Sequence, residues 1–561
     1  MLDKSRKIWN WTTVLVILGL LLAACVAPGA QAPAAPAGGQ AAAAPSGGRP
    51  LPADAADDQT IHYVTRNFDW MNPATEGGFG RPFVSHIWMP FFIRDHDNKV
   101  HPWLATGYDV SQDGKVYTIH IDPRAIWSDG SPVTAKDAID FWTYAVSPKC
   151  KGCWVSYLTG FQLIDGLQAV IDGKAESAAG LVAVDDKTLK VTLTAPNPIF
   201  IDNLAHYNTG FTKLEDVLKG ENFAADGSAR VNGPFKIKVW DKDEKKYEVE
   251  QNPKWWGDVK PYIQHVIAQE SADENVSFIM WQNNEVDIAH WLTNIREPLR
   301  AKEPDTFHLI PYATNFFFPF WTTIAPMDDI NVRKALVHAV DWDAAIHAAW
   351  EGARDKRVMK THLTPELACF KADNWPDLKY DPALAKQELA ASKYGSADKL
   401  PLIRISTGGQ SPNYIRTAEI MIEQWKKNLG LTQVEVRPGP LDAWGQDADK
   451  VQVHRSSWGA TIPSSSDMIA GLYKWASDPK GVGLTDPELD KLVTELRSLP
   501  ATDPTYCSKV QAAEAKLLGN YYFLPMIWDL YEYNVKPYVK NFDTNVDNNW
   551  SNLLEMYVAK H

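Results

Sequence analysis

Tyr117, Ile119 and Ile121 alternate with Val116, Thr118 and His120, the period-two pattern of a half-buried strand. Just upstream, Asp113-Gly114 supplies the positive φ of a turn between two extended segments. Downstream, Asp129-Gly130 and Pro132 break the chain, and Thr134 with Asp137 three residues later forms an acidic variant of the capping box. The helix started there places Ala138, Phe141, Trp142 and Ala145 on one face. A second hairpin is predicted where Val182 to Val184 and Thr188 to Thr194 flank Asp185-Asp186, with Leu189, Val191 and Leu193 facing one way. Pro196 and Pro198 end it, so residues 91–200 read as an α+β subdomain.

The same alternation predicts an opening strand through Ile61 and Tyr63, closed by Asn72-Pro73. It predicts a later one through Phe235, Ile237 and Val239, returning through Tyr247 and Val249. Beyond residue 320 the period becomes helical. Asp328 or Asp329 can cap a helix whose Val332, Leu336 and Ala339 or Val340 form a stripe, and Asp341 caps a second that ends at Gly352. Asp381-Pro382 is an N-cap followed by a first-turn proline. From Pro412 to Leu429, Ile415, Ala418, Ile422, Trp425 and Leu429 share one side; Gly430 stops that helix, and Val434 and Val436 resume a strand. Helix alternating with strand predicts a wound α/β lobe.

At 561 residues and 45% hydrophobic content the chain can bury a large core, and ordinary domain sizes imply two or more lobes. A net charge of -13 offers no basic field to displace counterions, which excludes nucleic acid as the expected partner. Lys4, Arg6 and Lys7 precede an apolar run, Ile8 to Leu22, too short for a well-flanked membrane span, so residues 1–24 read as a signal peptide. Leu22-Ala23-Ala24-Cys25 resembles the lipobox of bacterial lipoproteins. Acylated Cys25 would hold the protein on the outer face of the cytoplasmic membrane. Val26 to Gly48 is Ala, Pro, Gly and Gln with almost no charge, so residues 25–58 are expected to be a structureless tether and the fold to start near Gln59. Export places Cys150, Cys153, Cys369 and Cys507 in an oxidising compartment, where three pairings are possible. The expected one is a local Cys150–Cys153 bridge in a Pro- and Gly-punctuated loop, leaving Cys369 with Cys507. Zinc is disfavoured, since no second Cys-x-x-Cys or paired histidine accompanies the first.

No nucleophile elbow, His-Glu-x-x-His or phosphate loop occurs, and the glycines around Gly77 to Gly80 do not satisfy a dinucleotide pattern. The segment starting at Asp95, "DHDNKV", lacks the glycine a calcium loop needs at its sixth position and reads as a polar turn. No catalytic residue, metal or cofactor is therefore expected. Binding leaves a clearer trace: 23 tryptophans exceed what cores require and supply amphipathic plates for a ligand. The rival class is a secreted hydrolase, which needs only two carboxylates brought together by folding.

Pro102-x-Leu104-Ala105, "DGKVYTIHI", the loop Trp127-Ser128-Asp129-Gly130-Ser131-Pro132 and "TAKDAIDFW" together resemble the signature of the family 5 extracellular solute-binding proteins. These are the receptors of peptide, nickel and some oligosaccharide ABC importers. Asn232-Gly233-Pro234-Phe235, and Asp329, Val332, Arg333, Ala335, Ala339 and Asp341 in order, extend the likeness. The resemblance implies an α/β, two-lobed, periplasmic-binding-protein-like fold of type II. Its first lobe would hold residues 59–312 and 528–561, with the 91–200 subdomain attached, and its second lobe residues 313–527. It further implies a monomeric receptor rather than an enzyme, closing around an oligopeptide and delivering it to an ABC permease. An oligosaccharide is the alternative ligand; the 14 histidines show no clustering that demands nickel.

In the family's peptide receptors a Trp-centred strand offers backbone groups to an extended ligand, and an aspartate soon after pairs with the peptide ammonium. Trp458 and Gly459 match, but the positions around Ala460 and Thr461 carry no acid. A buried ammonium without a carboxylate is costly, so Asp467 or Asp442 is the expected substitute. By the same resemblance Asn67, Trp70, Phe316, Trp444, Trp528 and Tyr531 are expected at the cleft.

Overall fold

The alternating segment Val116–Ile121 is a strand whose Tyr117, Ile119 and Ile121 are buried. The computed structural model describes residues 49–561 apart from 66–71, 76–80, 154, 156, 157, 159, 221, 272, 291–301, 376, 410, 461, 479–481 and 545–551. The expected signal peptide, Cys25, most of the tether, and Asn67, Trp70 and Thr461 lie outside the described residues.

The first lobe begins with β1 (Thr60–Thr65), a short pair β2 (Phe92–Arg94) and β3 (Val100–Pro102), and the subdomain strands β4 (Ala105–Val110), β5 (Val116–Ile121), β6 (Leu181–Asp185) and β7 (Thr188–Thr192). The subdomain sheet runs β4-β5-β7-β6, antiparallel throughout. Gly114 takes its expected positive φ of 68° at the β4–β5 turn. Against this sheet lies α1 (Ala135–Val146), whose capping box is complete: Thr134 accepts from the Asp137 N–H and Asp137 from the Thr134 N–H. Asp137 also accepts from Trp127 Nε1 at 3.0 Å and from Lys213 Nζ at 2.7 Å. One carboxylate thus ties the Asp129-Gly130 loop, the helix start and the segment at 213 together, beyond the roughly 1 kcal/mol an N-cap alone contributes.

The lobe continues through β8 (Phe235–Asp241), β9 (Lys246–Gln251), β10 (His265–Glu270) and β11 (Ile288–His290). The expected alternation of Phe235, Ile237 and Val239 fails at its third member. A register shift between Ile237 and Val239 turns Val239 outward, and Trp240 takes the buried place.

A long strand, β12 (Phe307–Pro319), then leaves the first lobe. The second lobe contains α2 (Ile330–His338), α3 (Trp342–Trp350), α4 (Pro382–Ala391), β13 (Ile403–Ser406), α5 (Pro412–Leu429), β14 (Val434–Arg437), β15 (Val453–His454) and β16 (Ser456–Gly459). Three helices follow, α6 (Ser465–Ala476), α7 (Pro487–Ser498) and α8 (Tyr506–Gly519), before β17 (Phe523–Val535) returns and β18 (Val539–Lys540) pairs with β19 (Tyr557–Val558). Asp329, Asp341 and Asp381 cap α2, α3 and α4 with their side chains. Strand β13 is parallel to both β14 and β15, the wound arrangement the helix–strand alternation predicts. The buried stripe of α5 is rotated from the expected one: Thr417, Ala418, Met421, Trp425 and Asn428 face inward, because Trp425 and Asn428 donate to the Leu336 and Ala339 carbonyls.

An eight-stranded sheet of order β16-β12-β17-β11-β1-β10-β9-β8 links the lobes. One hydrophobic core gathers residues from Ile61 to Ala268 with Ile288 and the segment from Tyr531 to Val558; the other runs from Ala313 to Trp528. The crossing strands β12 and β17 pair antiparallel over both, with register shifts between Pro311 and Asn315 and between Phe316 and Phe317. Trp528, expected to open the returning part of the first lobe, packs in the second core, and Tyr531 packs in the first.

Residues 54–58, expected within the tether, are folded. Ala55 bridges to Ala559, the Ala56 N–H donates to the Val558 carbonyl, and Arg49 pairs with Glu555 at 2.7 Å. These partners lie some 500 residues along the chain, where local composition cannot reveal them. Cys150 is bonded to Cys153 and Cys369 to Cys507. Among the described residues no helix is long and apolar enough to cross a membrane.

Candidate functional site

Among the described residues strand β16 is the edge of the eight-stranded sheet, paired with β12 alone. The Ala460 N–H donates to the Ala313 carbonyl at 2.8 Å, and Trp458 lies opposite Asn315. Alternation then turns the backbone groups of Ser457 and Gly459 toward the open edge. Trp458 itself packs between this strand and α6: its ring lies 6.1 Å from that of Trp475, and a Cβ on Gly471 would come within 2.8 Å of its Cζ2. Its enclosed Nε1 has no hydrogen-bond partner among the described residues. Behind β16, Asn315 is fully buried and its Nδ2 donates to the His362 carbonyl at 2.7 Å. His362 is hydrogen-bonded through Nε2 to the Tyr522 hydroxyl, and burial holds its imidazole well below the ordinary range of basicity. The edge strand therefore rests on a rigid support.

Phe316 lies one register position from Trp458 on β12, opposite Ser457. It joins two residues that sequence reasoning missed, Tyr414 at the start of α5 (rings 5.6 Å apart) and Arg455, whose guanidinium lies 5.1 Å from Phe316 and 4.2 Å from Tyr414. The Arg455 signal was present in the sequence, as a base three positions before Trp458.

Asp467 stands in the first turn of α6, 5% exposed, with Ser464 as its N-cap. It lines a cavity together with Ser466, Ala470 and Arg497 from the second lobe and Leu163, Asn197 and Ile199 from the subdomain of the first. Nearby, Lys474 Nζ on α6 donates to Gln162 Oε1 at 2.8 Å across the same seam. Arg497 and Lys474 sit on the faces of amphipathic helices, where a lone sequence marks them only as surface charges.

Of the other expected cleft residues, Trp444, Trp528 and Tyr531 do not join this group. Trp444 is buried with Arg437 of β14 stacked 4.2 Å above its ring. Trp528 donates from Nε1 to the Thr361 carbonyl at 2.9 Å and meets Phe370 edge-on, while Tyr531 neighbours His290 at 5.9 Å. Trp528 and Tyr531 are 5% and 4% exposed, flanking the crossing as core residues. Among the described residues no group of three or more His, Cys, Asp or Glu side chains could hold a metal ion.

Two lobes joined by paired crossing strands, with an open edge strand and a charged cavity between them, define a solute-binding receptor of the bilobed kind. A model for the bacterial extracellular solute-binding proteins, family 5 (middle region), matches residues 99–480, and the chain belongs to this family. Among curated relatives, the periplasmic oligopeptide-binding protein OppA of Escherichia coli is 27% identical over 493 residues, covering 84% of this chain and 86% of its own. The dipeptide-binding protein DppE of Bacillus subtilis is 27% identical, covering 77% and 79%. Among solved structures, the murein tripeptide binding protein MppA of Escherichia coli superposes with a TM-score of 0.77 at 22% identity, covering 91% of this chain and 100% of its own, which establishes the likeness of fold.

Proposed function

We propose that the protein is the receptor of an ABC importer that binds an oligopeptide as an added strand along the open edge of β16. The observation that carries this reading is that edge: Ser457 and Gly459 direct backbone donors and acceptors away from β12, and extended peptides satisfy such groups by β-augmentation. Asp467, within the first turn of the next helix, supplies the carboxylate for the peptide ammonium in place of the acid absent at Thr461. Phe316, Tyr414 and Arg455 face ligand side chains. Family membership and the peptide-binding names of the relatives support the same reading.

No bond is made or broken in this role. Selectivity is differential affinity, and the lobes move about the β12–β17 crossing as a ligand-driven population shift. Acylated Cys25 and the tether keep a monomeric receptor beside its permease.

Thermal unfolding in the presence of tripeptides to pentapeptides, with oligosaccharides in parallel, tests the reading. At a hundredfold excess over its dissociation constant a peptide should add about 2.7 kcal/mol to stability. Stabilisation by oligosaccharides alone, or turnover of the added compound, contradicts it.

A further inference from the structure

Among the described residues the cavity at the seam is lined by one carboxylate and one cation. Of its lining residues, Asp467 is the carboxylate and Arg497 the cation, and Lys474 stands beside them on α6. Burial lowers the proton affinity of the Arg497 guanidinium, with Asp467 opposing the change. Lys474 is lowered too, by burial first and then by the like charge of Arg497, and its ammonium donates to a neutral amide oxygen of Gln162. Arg497 Nε is enclosed with no hydrogen-bond acceptor among the described residues. Arg497, half-buried, therefore keeps an unmet donor in the cavity that Asp467 also lines, while Lys474 stays exposed at its rim. Bringing an anionic group to Arg497 satisfies the unmet donor.

We propose that this seam is a subsite for a ligand carboxylate, adjacent to the ammonium-binding Asp467, so that the receptor prefers oligopeptides with an aspartate or glutamate as first or second residue. Arg497 is the specificity-determining residue. The inference rests on the oligopeptide reading above, and its geometry follows from one fact: Asp467 and Arg497 line the same cavity. A peptide whose ammonium meets the first has the side chains of its leading residues within reach of the second. Asn197, Leu163 and Ile199 close the cavity from the other lobe, so the interaction forms as the lobes meet and is shielded from water there.

Calorimetric titration of the wild type and of Arg497→Gln with Ala-Ala-Ala, Glu-Ala-Ala, Ala-Glu-Ala and Lys-Ala-Ala tests this. A charge-assisted hydrogen bond predicts that at least one glutamate peptide binds the wild type roughly 10- to 100-fold more tightly than Ala-Ala-Ala. Arg497→Gln should bring the ratio of glutamate-peptide to Ala-Ala-Ala affinity to about one, and Arg497→Lys, which keeps the charge, should retain most of the preference. Equal affinity of the wild type for all four peptides, or preference for Lys-Ala-Ala, overturns this inference while leaving the oligopeptide reading intact. Failure of all four to bind overturns both.

Discussion

Asp529 is the group at which the crossing strands are most exposed to a quantitative test. It lies on β17 between Trp528 and Leu530, where the register with β12 is interrupted, and is 2% exposed. Arg354, equally buried, bonds Glu532 through Nη1 at 2.6 Å, while its Nη2 stays 3.8 Å from Asp529. Asp529 Oδ1 is enclosed without a hydrogen-bond partner among the described residues. Burial raises its pKa from 3.8 to about 6 against the pull of Arg354. At about 1.4 kcal/mol per pKa unit, holding this carboxylate ionised costs roughly 3 kcal/mol above pH 6. The folded state binds the Asp529 proton more tightly than the unfolded chain, so between about pH 4 and pH 6 this group's contribution to stability falls as pH rises.

Replacing Asp529 with Asn removes the buried charge and keeps the shape. Arg354 retains Glu532, so the 3 to 5 kcal/mol penalty of stranding a buried ion does not arise. The variant should match the wild type below pH 4 and exceed it by up to about 3 kcal/mol above pH 6, measured by denaturant unfolding followed by tryptophan fluorescence at intervals from pH 3.5 to 8. A difference independent of pH, or a variant less stable than the wild type at pH 7, would show instead that Arg354 depends on the Asp529 charge.

Three further outcomes are expected. Glu514→Ala removes a fully buried carboxylate that accepts from Thr361, from the Leu363 N–H at 2.6 Å and from Asn374 at 2.6 Å, and should cost at least about 3 kcal/mol of second-lobe stability. Glu514→Gln should cost less, and similar melting of Ala and wild type would count against this network. Cys507→Ser opens a bridge spanning 138 residues and should lower stability by roughly 3 to 5 kcal/mol under oxidising conditions, and the difference from the wild type should vanish when both are measured in reductant. Asp467→Asn should weaken Ala-Ala-Ala binding roughly 10- to 100-fold; unchanged affinity would place the ammonium elsewhere.

Local period and turn chemistry made much of the first lobe legible. The Thr134–Asp137 box, the Gly114 turn and the buried face at Tyr117, Ile119 and Ile121 each depend on residues within a few positions of one another. What remained hidden depends on distant partners. Val239 faces outward because of a bulge set by pairing with β9, and α5 is rotated by contacts with carbonyls near residues 336 and 339. Residues 54–58 fold because the C-terminal segment supplies their hydrogen bonds. At the candidate site a motif singles out Trp458, and the acid missing after it points to Asp467 as a substitute, whereas Arg497 acquires meaning only when Leu163 and Asn197, three hundred positions earlier, are brought against it. The tryptophan count suggested ligand plates, yet Trp528 and Trp444 are packing residues with exposures of 5% and 3%.

Strand addition at the open edge of β16 is tested by a crystal structure of the protein grown with an oligopeptide. It predicts an extended peptide whose main chain hydrogen-bonds to Ser457 and Gly459, with its ammonium about 3 Å from the Asp467 carboxylate. A peptide bound away from β16, or an ammonium held by another acid, would contradict it.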